Sequence, residues 1–335
     1  MDVWGKLLFL ILFLLYYIDN YFLAFTSCAY SMINITTKYY SFLLRYTFLF
    51  LLFILTGASC SNVFYQPSKK LFHDPKTFQL TYQNVYFKSK DGTMLHGWVF
   101  PSVPDVEELG TVIQFHGNAE NISTHFLSLS WIVKHGYTLF TFDYRGYGQS
   151  EGHPSQAKVY EDALAALEYA HTINSQRIEP LTPSDEPGRR ESTLKKIAYG
   201  QSLGGTILLR AMNEVPGTAV LDAVVIESSF SSYQEIAREK LSGSWLSWPF
   251  QSLAYLLVSD QYAPQDFIKN LSPIPLLVIH GDNDPVVPIH HGEKIFALAG
   301  EPKGFWRIKG GKHVDSMFCC DGIYRDKLLK FLGDL

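Results

Sequence analysis

A serine with a glycine two positions away on each side, Gly200-Gln201-Ser202-Leu203-Gly204, has the spacing of a nucleophile elbow. In such a turn the serine takes an unfavourable backbone between a strand and a helix, and side chains at the flanking positions would collide. The spacing alone is weak, because ordinary Gly and Ser frequencies produce it in roughly one chain in ten of this length. Its setting adds weight: an apolar run at 196–199 precedes it and the helical pattern "LGGTILLRAMNE" follows it. Acyl transfer by a serine needs three further parts, namely a base, an acid that orients the base, and oxyanion donors. They are sought in the chain order Ser, Asp or Glu, His.

In "PLLVIHGDNDPVVP" Asp284 stands just beyond a buried apolar run, in a loop closed by Pro285 and Pro288. A carboxylate there can accept an imidazole N–H and fix its tautomer. Asp282 in the same loop is a rival, better suited to capping backbone amides. Glu227, at the end of the preceding run, is a third candidate and fits a packing, hydrogen-bonding or substrate role better. Three histidines follow the acid. His290 and His291 open a helical pattern only six residues on and read as surface or capping residues. His313 lies in the glycine-rich "IKGGKHVDS" before the last helical pattern, where a loop can reach the sheet edge that carries Ser202. Asp315 reads as a helix cap. The backbone N–H of Leu203 is one expected oxyanion donor. The other is the N–H of Asn118, in "VIQFHGNAEN", where Gly117 would permit an unusual backbone and His116 reads as a structural hydrogen-bonder.

These parts need a frame. The segment 78–100 alternates apolar and polar residues around Asp91-Gly92, a hairpin signal. Beyond it, apolar runs at 111–115, 138–142, 196–199, 223–226, 275–279 and 305–308 alternate with helical patterns near 120–134, 156–172, 203–214, 290–299 and 314–332. Alternation of this kind predicts a mostly parallel central sheet with helices on both faces, led by an antiparallel hairpin. The polar stretch 174–195 reads as an exposed loop. The aromatic stretch within 230–272 breaks the alternation and reads as an inserted helical cap. Its Trp245, Leu246, Trp248, Phe250, Leu253, Leu256 and Leu257 would either form the cap's own core, line an acyl pocket or touch lipid.

With "FHGNAENIS", "FDYRGYGQSEGHPS", "YGQSLGG", "ESSFSS", "IPLLVIHGDNDPVVP" and "GGKHVD" in this order, the chain from about 80 to 335 resembles the α/β-hydrolase superfamily. It is most similar to membrane-linked serine hydrolases that include palmitoyl-protein thioesterases, lysophospholipases and uncharacterised bacterial members. The resemblance implies the α/β-hydrolase fold. It also implies Ser202, Asp284 and His313 as a triad, Asn118 and Leu203 as oxyanion donors, and the "FDYRGYGQSEG" segment as a structural loop beside the site. Lys312 departs from the small residue that many relatives carry before the histidine. A carboxylic ester or thioester, acyl-lipid or lipid-like, is the expected substrate. The alternatives are a serine aminopeptidase, with Glu227 for the substrate ammonium, and a non-catalytic binding module on the same fold.

At 335 residues, 47% hydrophobic, 18% charged and net charge −4, the chain has length for a large core and no basic block for nucleic acid. Cys28, Cys60, Cys319 and Cys320 show no metal-ligand or disulfide-framework spacing. Cys319 and Cys320 are expected to pack within a C-terminal helix. His280-x-Asp282-x-Asp284 looks ligand-like, but His280 ends a buried run and Asp284 is claimed by the triad. No cofactor and no metal are expected. Residues 1–60 are expected to form a membrane anchor or signal segment, with apolar stretches at 7–25 and 46–58. "LTGASCSN" offers Cys60 for lipidation, although Gly57 departs from the usual box. Residues 61–77 read as a linker, and 78–335 as the hydrolase domain. The expected location is membrane-associated, in a bacterial cell envelope.

Overall fold

The hydrophobic runs assemble into an eight-stranded sheet in a computed structural model that describes residues 40–42, 44–47, 64–175, 194–214, 221–243, 245 and 247–335. The strands are β1 (Gln83–Lys88), β2 (Met94–Phe100), β3 (Gly110–Phe115), β4 (Tyr137–Phe142), β5 (Lys195–Gln201), β6 (Ala223–Glu227), β7 (Leu276–Gly281) and β8 (Lys303–Ile308). Their order across the sheet is β8-β7-β6-β5-β3-β4-β2-β1. Only the β1–β2 hairpin and the β2–β4 pair are antiparallel, and the rest pair in parallel. This is the mostly parallel α/β sheet anticipated above. Among the residues from 64 onward that the structure describes, the longer helices are α1 (Gln156–Ser175), α2 (Leu203–Ala211), α3 (Tyr233–Ser242), α4 (His290–Leu298) and α5 (Ile323–Gly333).

Side-chain alternation along the buried strands builds a core on each face of the sheet. Ile113, Ala198, Val224, Ile226 and Val278 pack with Val159, Ala163 and Leu167 of α1 and Ile207 and Leu208 of α2. Their neighbours Val112, Ile197, Val225, Leu277 and Ile279 face the other way, onto Leu328 and Leu332 of α5 and the Ile122–Val133 region. Both faces being covered explains why these strands read as unbroken apolar runs.

Several expectations differ in detail. The helical pattern at 120–134 is a single short helix, Ile122–His125, followed by two 3-10 turns. The pattern at 314–332 is α-helical only from Ile323, after a kinked 3-10 turn at Cys320–Gly322, because Val314, Cys320 and Asp321 have positive φ. Cys319 and Cys320 therefore precede the helix, and Cys320 is exposed rather than packed. Residues 61–77, read as a linker, are described from 64 and fold onto the domain that carries the sheet. Tyr65 is in the core, Gln66–Pro67 pairs with Ala119–Glu120, and the Asn121 side chain donates to the carbonyls of Ser68 and Lys70. In the cap, Ala254 is buried, but Trp245 is 88% and Leu256 77% exposed, with Trp248 and Tyr255 also exposed. These side chains are thus not the cap's own core, and Leu246 lies outside the described residues.

The chain divides into two units, Met1–Ser59 and Cys60–Leu335. Of the apolar stretches at 7–25 and 46–58, only 46 and 47 are described, and Cys60 also lies outside the described residues, as does most of the 174–195 loop. Among the described residues no helix is long and apolar enough to cross a membrane.

The segment "FDYRGYGQSEG" braces the sheet edge. Arg145 is almost fully buried. Its Nη2 lies 2.6 Å from Asp162 Oδ1 on α1, its Nη1 lies 2.8 Å from Asp91 Oδ2 in the β1–β2 turn, and Nη2 also donates to Ser89 Oγ. Asp162 is fully buried and also accepts the Arg145 backbone N–H. Removing one partner of such a pair leaves an uncompensated buried charge. Arg145→Met is therefore expected to lower unfolding free energy by about 3–5 kcal/mol in urea titration. An unchanged transition midpoint would refute that role.

Candidate active site

Ser202 sits at the turn between β5 and α2 with φ 53° and ψ −121°, a sparsely populated conformation for a residue with a side chain. Such a residue costs of order 1–3 kcal/mol and persists only when its surroundings over-determine it. Its N–H donates to the Glu227 carbonyl at 2.8 Å. The flanking glycines have no room for anything larger. A Cβ at Gly200 would approach Gly205 Cα to 2.4 Å, and one at Gly204 would approach the Phe115 and His116 carbonyls to 2.2 and 2.4 Å. The glycine spacing is thus a packing requirement of the turn.

His313 and Asp284 arrive from the loops after β8 and β7. His313 Nε2 is 3.0 Å from Ser202 Oγ, and His313 Nδ1 is 2.8 Å from Asp284 Oδ2. The other Asp284 oxygen accepts the N–H groups of Val286 and Val287 at 2.8 and 2.9 Å. Burial raises the Asp284 carboxyl, but His313 and the two amides outweigh it and hold the group below its ordinary value. The carboxylate so held favours the proton on Nδ1 and leaves Nε2 to accept from the serine. Asp282 turns the other way, accepting the Gly310 N–H at 2.7 Å. Asp315 accepts the Lys312 N–H, so it closes the His313 loop and caps no helix.

The N–H groups of Leu203 and Asn118 have no protein acceptor among the described residues. Leu203 opens α2, so the partial positive end of that helix adds to its N–H. Asn118 is fixed through its carbonyl, which accepts the Tyr147 hydroxyl at 2.6 Å, and through its side-chain oxygen, which accepts the Gln66 N–H at 3.0 Å. Tyr147 belongs to the "FDYRGYGQS" loop, which is how that loop reaches the site. Gly117 does not carry the unusual backbone expected of it: a Cβ there would make ordinary contacts, and the positive φ falls at Glu120. His116 is buried behind the loop, with Nδ1 2.8 Å from the Gly117 carbonyl and its ring against Tyr144 and Tyr147.

Glu227 is the residue whose role residue types alone left open. It is 2% exposed, and four donors converge on its carboxyl. Tyr199 Oη and Gln201 Nε2 reach Oε2 at 2.9 and 3.1 Å, and Ser316 N and Oγ reach Oε1 at 3.0 and 2.5 Å. Next to it, Ser228 (φ 52°) accepts the Val314 N–H. Strand β6 thus ties the serine turn and the histidine loop to one point. Ser316 and Ser228 were missed because no local motif marks them. The run "ESSFSS" was the available signal.

A family model described as serine aminopeptidase, S33, matches residues 107–270. Among the relatives, YfhR of Escherichia coli O157:H7 is 34% identical over 297 residues, which is 85% of this chain and 93% of that protein. The α/β-hydrolase domain-containing protein WAV2 of Arabidopsis thaliana is 28% identical over 271 residues, 77% of this chain and 80% of its own. In fold, a Pyrococcus furiosus esterase superposes with a TM-score of 0.60 at 17% identity, over 81% of this chain and 98% of that one.

Two outcomes follow. Glu227→Gln places an amide donor among four donors, leaves at least one buried group unpaired, and is expected to lower unfolding free energy by about 1–3 kcal/mol. Unchanged stability by urea titration would remove the anchoring role. Stability also depends on acid. His116 and His280 are fully buried, and burial, their largest influence, pushes both below the ordinary 6.5. Below 6.5 the unfolded chain takes up protons that these folded imidazoles refuse, so their contribution is complete above that pH and is lost as pH falls through it. Asp284, held low, extends the loss at more acidic pH. The urea midpoint at about pH 5.5 is expected below that at about pH 7.5; an equal or higher midpoint would contradict the assignment.

Proposed function

We propose that this chain, which belongs to the α/β-hydrolase family of the YfhR proteins, cleaves carboxylic esters or thioesters through an acyl-enzyme on Ser202. The observation that carries the proposal is the line of contacts from Asp284 through His313 to a strained, almost buried Ser202, beside two N–H groups free to bind an oxyanion.

In this mechanism His313 Nε2 takes the hydroxyl proton as Ser202 Oγ attacks the acyl carbon. Asp284 stabilises the imidazolium so formed. The tetrahedral oxyanion rests on the N–H groups of Leu203 and Asn118, where loss of one donor costs ~100- to 1,000-fold in rate. Collapse expels the alcohol or thiol, which takes the proton from His313. Water then attacks the acyl-enzyme by the same base and releases the acid.

The family model's description favours a second reading, an aminopeptidase. That reaction needs an acidic side chain free to bind the substrate ammonium. Glu227, the candidate from the sequence, has its carboxyl occupied by four internal donors. The ester reading is therefore preferred.

We further propose that the substrate is an acyl lipid or lipid-like ester and that the protein works at a membrane, in a bacterial envelope. Residues 1–60 would serve as anchor or signal, and Cys60 as the thiol for lipidation. Support comes from the apolar stretches at 7–25 and 46–58 and from the exposed cap side chains Trp245, Trp248, Tyr255 and Leu256. Indole and phenol rings suit the boundary between water and lipid.

The test is hydrolysis of p-nitrophenyl esters from acetyl to palmitoyl, with fluorophosphonate labelling alongside. Ser202→Ala is expected to lower kcat by on the order of 10⁶-fold and to abolish labelling. A rate maximum at long chains supports the lipid substrate; a maximum at acetyl or butyryl overturns that part and leaves the esterase. A wild-type protein inert to both esters and fluorophosphonate would favour the binding module.

A further inference from the structure

Away from the serine, helices α3 and α4 bring three metal-binding side chains together. Glu239 lies in the second half of α3, the first helix of the cap, and His290 and His291 open α4. His290 Nε2 is 3.0 Å from Glu239 Oε1, and His291 Nε2 is 3.1 Å from Glu239 Oε2. One ligand atom from each residue fits within 4.8 Å of the others. Successive residues on a helix point about 100° apart, so adjacent side chains normally diverge. Here the two rings converge, with centroids 4.4 Å apart, on one carboxylate.

We infer that Glu239, His290 and His291 form a site for a zinc-class divalent ion that clamps the cap helix to the body of the hydrolase. Zinc binds imidazole nitrogen and carboxylate oxygen at about 2.0–2.2 Å, which in a tetrahedron sets ligand atoms roughly 3.3 Å apart. The two nitrogen–oxygen separations already fall within a few tenths of an ångström of that. Two imidazoles with one carboxylate make a three-ligand donor set that leaves a position for water, and imidazole favours zinc, copper or nickel over magnesium or calcium. His291 is fully buried and fixes the inner side; the His290 side chain is 54% exposed and gives the ion access. The nearby charges offset one another: Glu235, one turn earlier on α3, pairs with Lys294 of α4 at 2.5 Å. Lys240 donates to the Pro285 carbonyl. His291 Nδ1 has no partner among the described residues, so the ligand lacks the outer hydrogen bond that strengthens such sites ~10- to 100-fold, and binding of moderate affinity is expected.

The experiment uses the full chain in detergent, stripped with chelator and titrated with cobalt(II), then zinc(II). One cobalt per chain is expected, with a visible d–d absorption that zinc displaces and with a zinc-dependent rise in Tm. Glu239→Gln and His290→Ala should each weaken cobalt binding more than ~10-fold. Because the His290 side chain is half exposed, that variant is expected to keep the wild-type circular dichroism and so separates ligation from folding. The doubles Cys319→Ser with Cys320→Ser, and the single Ser202→Ala, should retain the spectrum. Absence of bound cobalt and zinc in the wild type overturns the site. So does a spectrum that survives both ligand substitutions, or one lost in the cysteine double.

Discussion

The structure turns on the hold that strand β6 exerts on the serine turn. Ser202 occupies a backbone conformation that no isolated peptide would choose. The Glu227 carbonyl takes its N–H, and the carbonyls of Phe115 and His116 pass so near Gly204 that the turn cannot relax outward. The Glu227 side chain then reaches across to Ser316, three residues beyond His313. Serine and histidine meet at 3.0 Å although 111 residues separate them in the chain, because both are moored to the end of one central strand. A parallel sheet makes this possible, since it delivers the carboxyl ends of β3, β5, β6, β7 and β8 to the same edge.

The parts of this arrangement legible in the sequence are those dictated by local sterics and periodicity. Gly200 and Gly204 were readable because a turn that tight excludes Cβ atoms whatever else surrounds it. The strands were readable because burial on both faces forces unbroken apolar runs. The loops that carry Asp284 and His313 were readable because each follows such a run and is built from Pro or Gly. The shape of the Asn118 loop was not readable: it is set by Tyr147 and Gln66, and Gly117 needs no special backbone. Contacts of that kind depend on tertiary packing of segments 29 and 52 residues distant, which no local pattern encodes.

The misread regions have the opposite character. In 120–134 the apolar spacing suits a helix, yet tertiary packing against Trp98 and Phe100 breaks it into short turns. In 314–322 three residues with side chains take positive φ, because the chain must bring His313 and Ser316 inward before α5 can start. Propensity describes the residue, whereas the site describes the neighbours, and near Ser202 the neighbours win. The same reasoning accounts for the segment from 64 onward. Its polar composition resembles a tether, but Tyr65 and the Gln66–Pro67 bridge support the very loop that carries Asn118.

The segment from Asp284 to His291 joins the contacts around Ser202 to helix α3. At one end Asp284 meets His313 at 2.8 Å; at the other, His290 and His291 meet Glu239 on α3. Between them the loop has few ways to move. Val286 and Val287 donate to Asp284, the Val287 carbonyl lies 2.8 Å from His280 Nε2, and Gly292 sits so close to that ring that a Cβ would approach Nδ1 to 2.4 Å. A displacement of α3 must therefore either break the contacts at Glu239 or pull on the loop that holds Asp284. The position of α3 and the orientation of His313 are mechanically linked through the eight residues from Asp284 to His291.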